Sequence, residues 1–291
     1  MSRYHFIRTE KANHTVMILC RVMKVSRSGY YDWNARIRSK RDLENDKLDN
    51  YILKTYKESR GRYGYRRIYY ALKNEGIKTS LGRVQRRMDA LALKAKRRKA
   101  YKKTTQSTKD RPVPPNKLDR QFSPSKKNTS WVTDVTYIST KEGWLFLSLI
   151  IDLWSRKIVG WSMSKNNDTA LIISSLKMAL WLRNPHKNWI HHSDQGSPYM
   201  SEKYVKLLDR AGAKRSVSHR GDCYDNAVAE SIFGSLKQEM VYMENVFQTR
   251  EKARIEILKY IKWYNADRLH STIGYVSPND FEKGNVTKMV A

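Results

Sequence analysis

Asp134 sits inside Trp131-Val132-Thr133-Asp134-Val135-Thr136-Tyr137-Ile138, a run of β-branched and aromatic residues that reads as a buried strand. A carboxylate there is costly unless it is paired or coordinated. Whatever the chain folds into must bring it company. Asp194 ends a second apolar run, Trp189-Ile190-His191-His192-Ser193-Asp194, where the chain opens into Gln195-Gly196-Ser197. Glu230 lies in Asn226-Ala227-Val228-Ala229-Glu230-Ser231-Ile232-Phe233-Gly234-Ser235-Leu236-Lys237, which reads as a helix. Carboxylates at strand ends and on one helix can converge across long stretches of chain. An all-oxygen donor set suits Mg²⁺, a hard ion that keeps waters for phosphate oxygens. The layout points to metal-dependent phosphoryl transfer rather than a structural metal site. Hydrogen bonds from Thr133 and Thr136 to Asp134 are the plain structural alternative.

Charge narrows the partner. The 291 residues carry 57 Lys and Arg against 28 Asp and Glu, a net +29, which calls for an anionic polymer or surface. No apolar stretch approaches the roughly 18 to 20 residues of a bilayer span, so the cytoplasm, in association with the nucleoid, is the expected location. Cys20 and Cys223 match no metal motif.

Along the chain, residues 1–41 hold a small helical segment, with two short helices expected within 14–34. Residues 42–93 predict three helices with tight turns: about Leu43 to Ser59, Tyr65 to Glu75, and a basic third helix from Ser80. That fits a helix-turn-helix arrangement whose last helix enters a DNA groove. Arg66, Arg67, Arg83, Arg86 and Arg87 are its expected DNA contacts. Residues 94–127 form a basic, proline-containing linker, in which Arg97 and Arg98 belong to a run expected to track phosphates.

From residue 128 the pattern changes to strands at Trp131 to Ser139, Trp144 to Leu153 and Lys157 to Met163. A helix capped by Asp168 or Thr169 follows, then a strand from Trp189 to His192, a helix from Ser201, and a strand from Lys214 to Val217. This makes a mixed α/β sheet with flanking helices, in a segment expected to reach residue 245. Residues 246–291 predict a helix from Arg250 to Tyr264 and a tail packed on that core. Asn226, Glu230 and Lys237 fall near one helical face, so Asn226 and Lys237 are expected at DNA, as are His219 and Arg220 in the preceding loop.

The words around the carboxylates carry a resemblance. Thirty-five residues separate Asp194 from Glu230, and Lys237 follows seven later. With Trp131-Val132-Thr133-Asp134-Val135-Thr136-Tyr137, His192-Ser193-Asp194-Gln195-Gly196-Ser197-Pro198-Tyr199 and Ser59-Arg60-Gly61-Arg62-Tyr63-Gly64-Tyr65-Arg66-Arg67-Ile68, the chain resembles bacterial insertion-sequence transposases of the two-reading-frame type, second frame, with an integrase catalytic core. The resemblance implies a ribonuclease H-like five-stranded sheet, with Asp134, Asp194 and Glu230 as catalytic residues holding two Mg²⁺ ions, for which Mn²⁺ can substitute. It implies cleavage and strand transfer at the terminal inverted repeats of an element in double-stranded DNA, through a circular intermediate that later joins target DNA. It also implies a homo-oligomer on DNA and an upstream-frame protein as fusion or partner. The alternative is a metal-dependent nuclease or end-binding regulator that does not transfer strands.

Overall fold

The computed structural model describes residues 3–35, 39–95, 114–219, 223–240 and 246–284. It opens with three short helices, α1 (Arg3–Glu10), α2 (Val16–Val22) and α3 (Arg27–Ala35). Their apolar faces meet at Ile7, Leu19, Cys20 and Tyr30. The first of these was not legible as a helix: its only buried residue is Ile7.

The next block packs α4 (Lys40–Glu58), α5 (Tyr65–Asn74) and α6 (Leu81–Ala90) around Leu48, Ile52, Ile68, Leu72, Val84 and Met88. Helix α4 starts three residues before the apolar periodicity does. Ser39 Oγ accepts from the Asp42 amide at 3.2 Å while the Asp42 carboxylate accepts from the Ser39 amide at 3.2 Å, a reciprocal cap that satisfies two otherwise orphan donors. Ser80 caps α6 as expected, accepting from the Arg83 amide at 3.3 Å.

Five strands follow, β1 (Ser130–Thr140), β2 (Gly143–Asp152), β3 (Ile158–Ser164), β4 (Ile190–Ser193) and β5 (Lys214–Val217). Helix α7 (Thr169–Arg183) connects β3 to β4, and α8 (Glu202–Arg210) connects β4 to β5. Asp168 is the residue that caps α7. The chain continues through α9 (Ala227–Met240), α10 (Arg250–Ala266) and α11 (Pro278–Glu282). The sheet order is β3-β2-β1-β4-β5. Strands β1, β2 and β3 pair antiparallel, and β4 joins β1, then β5 joins β4, in parallel. This is the ribonuclease H-like arrangement, a mixed five-stranded sheet preceded by a small helical region.

Period-2 alternation splits the core between two faces. Val132, Ile138, Leu147, Leu149 and Ile151 face α9 and α10, meeting Ile232, Leu236, Ile257 and Tyr264. Trp131, Ile150 and Val159 face α7 and α8, meeting Ile172, Leu176, Tyr204 and Leu208. Gly160 lets α7 approach β3 closely: a Cβ there would lie 2.4 Å from the Ser175 carbonyl oxygen. Asp152 is structural. Fully buried, it accepts from the amides of Asn128 and Trp154 and pairs with Arg183 at 2.9 Å; Arg183 in turn binds Glu282 of α11.

Candidate active site

The parallel pairing of β1 and β4 creates the site. Its last rung is Val132 against His192. Two residues further on stand Asp134, within β1, and Asp194, just past the end of β4, so the register carries both carboxylates to the C-terminal end of β4, where neighbouring strands are about 4.8 Å apart. Alternation turns Asp134 to the face that α9 covers. Asp134 is half-buried and its Oδ1 accepts from the Val135 amide at 2.7 Å; Asp194 is half-buried and its Oδ1 accepts from the Gly196 amide at 2.9 Å. Burial, then the charge of Asp194, pushes the Asp134 carboxyl well above the ordinary carboxylate range, with Glu230 adding to the shift. Burial also raises Asp194. Proximity of like charge in a low-dielectric pocket is the arrangement a cation relieves.

Tyr199 completes the floor. Its ring lies beside Gly196, and its hydroxyl is buried. Burial and the charges of Asp134 and Asp194 push that hydroxyl's pKa upward, so it stays protonated. Tyr199 lies five residues after Asp194, at the end of the same motif, and spacing alone does not place it at the carboxylates.

Helix α9 is fixed to this end of the sheet at its N-terminus. Asn226 Nδ2 donates to the Thr133 carbonyl at 3.3 Å, next to Asp134, and the residue is buried. The expectation that Asn226 meets DNA is corrected: helical spacing put it on the Glu230 face, but it lies under the helix start, against β1. His219 and Arg120 both bind the buried Asp225, at 2.9 and 3.1 Å, and draw its carboxyl down to about 2 despite the opposing cost of burial. The His219 ring remains largely exposed. Glu230 itself lies on the exposed side of α9. Among the described residues no three His, Cys, Asp or Glu side chains close on one point, and Glu230 reaches the pair through its charge on Asp134. Lys237, two turns further, holds its ammonium 4.6 Å from the centre of the Tyr137 ring. Arg220 lies outside the described residues, as do Arg97 and Arg98.

His191 and His192 face opposite sides of β4, as alternation requires. His191 accepts or donates to the Tyr204 hydroxyl at 3.0 Å, and His192 sits between Ser216 and Ser218 at 2.8 and 3.0 Å. Burial lowers them to about 3 and about 4, so both are neutral and structural.

Models of two integrase core domains match residues 124–223 and 230–286, and an HTH-like domain model matches 43–101. The chain is 38% identical over 288 residues to the transposase InsF of insertion sequence IS3A from Escherichia coli K12, covering 98% of this chain and 99% of that protein. The chain belongs to the IS3-family insertion-sequence transposases. A 31 kDa protein of insertion element IS600 from Shigella sonnei is 38% identical over 266 residues, covering 91% of this chain and 97% of that protein. Among solved structures, the HTLV-2 integrase catalytic core domain in complex with magnesium is similar at a TM-score of 0.42 and 17% identity, covering 53% of this chain and 96% of that one.

In this transposase the basic residues of the helical block divide. Arg66 is exposed, beside the Tyr65 ring, and Arg86 is exposed on α6. Arg83 binds Asn45 at 2.9 Å and approaches Glu44 at 3.5 Å, and Arg87 forms a double hydrogen bond with Asp49. Lys40, Arg41, Arg83, Arg86 and Arg87 nonetheless line one open groove between α4 and α6. Arg67 departs from the expectation of a DNA contact: its guanidinium turns inward to Glu239 of α9 at 3.3 Å. Sequence could mark Arg67 as basic and helical, but its partner is 172 residues away. No helix among the described residues is long and apolar enough to cross a membrane.

Proposed function

We propose that this transposase cleaves the 3′ ends of its element at the terminal inverted repeats and transfers them, using Asp134, Asp194 and Glu230 to hold two Mg²⁺ ions, with Mn²⁺ able to substitute. The residues fit such ions: the donors are all carboxylate oxygens, one oxygen of each aspartate accepts from a backbone amide, and the charge of Asp194 adds to burial in raising the Asp134 carboxyl. When bound, the ions activate the attacking oxygen and neutralise charge on the leaving one. Asp134 and Asp194 orient that chemistry from the sheet, Glu230 completes the donor set from α9, and Lys237 offsets the charge of the DNA end. Phosphoryl transfer asks mainly for positioning and neutralisation, so no covalent bond to the protein is required. Water attacks first and leaves a 3′-hydroxyl; that hydroxyl then attacks a second phosphodiester, joining the two ends into a circular intermediate that later enters target DNA. Holding two ends calls for a homo-oligomer on DNA at the nucleoid, with the upstream-frame protein as fusion or partner.

The parallel β1–β4 register that brings Asp134 and Asp194 together carries this reading. It is tested by Mg²⁺-dependent cleavage and joining of DNA bearing the terminal repeats, comparing wild type with Glu230→Gln. Loss of nicked and joined products with DNA binding kept supports Glu230 as a ligand. Equal products from both proteins refute the catalytic assignment. Nicking without joining, including with the fused upstream frame supplied, indicates a nuclease.

A further inference from the structure

The Arg62-Tyr63-Gly64-Tyr65-Arg66-Arg67 stretch has no role in the chemistry above, yet most of its polar side chains are turned into the protein. Arg62 Nε donates to the Glu239 carbonyl at 3.1 Å, and its guanidinium lies 4.3 Å from the centre of the Trp263 ring. Arg67 reaches the Glu239 carboxylate. Tyr63 Oη donates to the Asp267 carbonyl at 3.0 Å and accepts from the Leu269 amide at 2.9 Å. Glu239 is 5% exposed and is already satisfied from its own side of the junction: Arg268 Nε and Nη2 donate to its two oxygens at 3.0 and 2.8 Å, and Tyr260 Oη donates at 2.9 Å.

The arginines from the helical block are therefore surplus to satisfying the carboxylate. Bringing further cations into a desolvated cluster is costly, and the best-attested return on buried ion pairs is a fixed register between elements. Here the elements are α5, which belongs to the helix-turn-helix block, and α9, which carries Glu230. Glu239 lies nine residues beyond Glu230, about 13 Å along the same rigid helix.

We propose that Glu239 is an intramolecular docking anchor and Arg67 a positioning residue, holding the helical block at a set distance from Glu230 so that DNA bound by one reaches the other. This rests on the function proposed above. The exposed neighbour Arg66 supplies the contrast, since it faces outward from the same helix.

The test uses the full chain with Arg67→Met, Arg67→Lys and Arg66→Ala. Amide hydrogen exchange, measured without DNA or metal, reads the docking independently of any reaction. Arg67→Met is expected to speed exchange in 65–74 and 227–240 by about tenfold, to leave affinity for end DNA within about twofold at every salt concentration, and to slow cleavage by about tenfold through kcat rather than KM. Arg67→Lys, which keeps the charge and serves as the test variant if the Met substitution prevents folding, is expected to recover part of both losses. Arg66→Ala is expected to leave exchange unchanged and to reduce the salt slope of DNA binding by about one. If Arg67→Met instead behaves like Arg66→Ala, Arg67 is a DNA contact and the proposal fails. Faster exchange with unchanged kcat also overturns it, leaving a packing contact. If wild type does not cleave at all, the exchange result still decides the docking, and only the function proposed above falls.

Discussion

The Lys237 ammonium lies over the Tyr137 ring, 4.6 Å from its centre, three residues along β1 from Asp134. Burial lowers the lysine's pKa, while Tyr137 and Asp134 support its charge. The ring thereby holds a cation at the edge of the carboxylate pair. A cation–π contact of this kind is worth about 0.5 to 2 kcal/mol. Tyr137→Leu is expected to weaken binding of end DNA by up to about tenfold and Lys237→Ala by at least as much, with Tyr137→Phe near wild type. Fluorescence anisotropy at two salt concentrations checks this; a wild-type affinity for Tyr137→Leu would remove the role given to the ring.

Acid should destabilise the protein through its buried histidines. His191 is lowered to about 3 by burial, then by His192. A depressed histidine pKa means that the unfolded chain binds the proton more readily. The associated stability is complete above the unfolded value of about 6.5 and is lost as pH falls toward 3. Each such group contributes a slope on the order of 1.4 kcal/mol per pH unit in that window. His191→Phe keeps a ring between Trp189 and Tyr204 and removes one titration. Denaturant midpoints between pH 6.5 and 4 should therefore fall less steeply for the variant, at a cost near neutrality of about 1 kcal/mol for the unpaired Tyr204 hydroxyl.

Gly160→Ala should destabilise the sheet–helix packing without altering DNA binding. The added Cβ would meet the Ser175 carbonyl oxygen at 2.4 Å and the Ala179 Cβ at 2.8 Å, neither of which is a flexible side-chain tip. Overpacking of this kind costs about 1 to 3 kcal/mol. Thermal unfolding monitored by circular dichroism measures it, and an unchanged midpoint would mean that α7 shifts freely on β3.

Arg183 neutralises the buried Asp152 and the half-buried Glu282, whose other partners include backbone amides, Ser155 and Lys157. Arg183→Leu should cost about 3 to 5 kcal/mol because the Asp152 charge stays buried without its partner. Adding Asp152→Leu should recover part of that loss, since an apolar replacement removes one stranded charge. A double-mutant cycle by denaturant unfolding reads the coupling, and additive losses would count against a direct pair.

The strands of the core were legible to within about a residue because their alternation is local, and Asp134, Asp194 and Glu230 stood out because each breaks the chemistry of its surroundings. Ser80 and Asp168 announced their helices for the same reason, a cap being a contact over three residues. The start of α4 was harder, since Ser39 and Asp42 cap it before any apolar periodicity begins.

The sequence by itself therefore determined the order of strands and helices, the excess of positive charge and the three carboxylates, since all of these are written in neighbouring residues. Tertiary structure alone decided which side chains face outward. Asn226 shares a helical face with Lys237 by spacing yet is buried against the Thr133 carbonyl, and Arg67 turns toward Glu239 while Arg66 stays in solvent. Periodicity gives the angle of a side chain about its own helix axis. What lies at that angle depends on where elements 93 and 172 residues away have packed, and no local pattern carries that information.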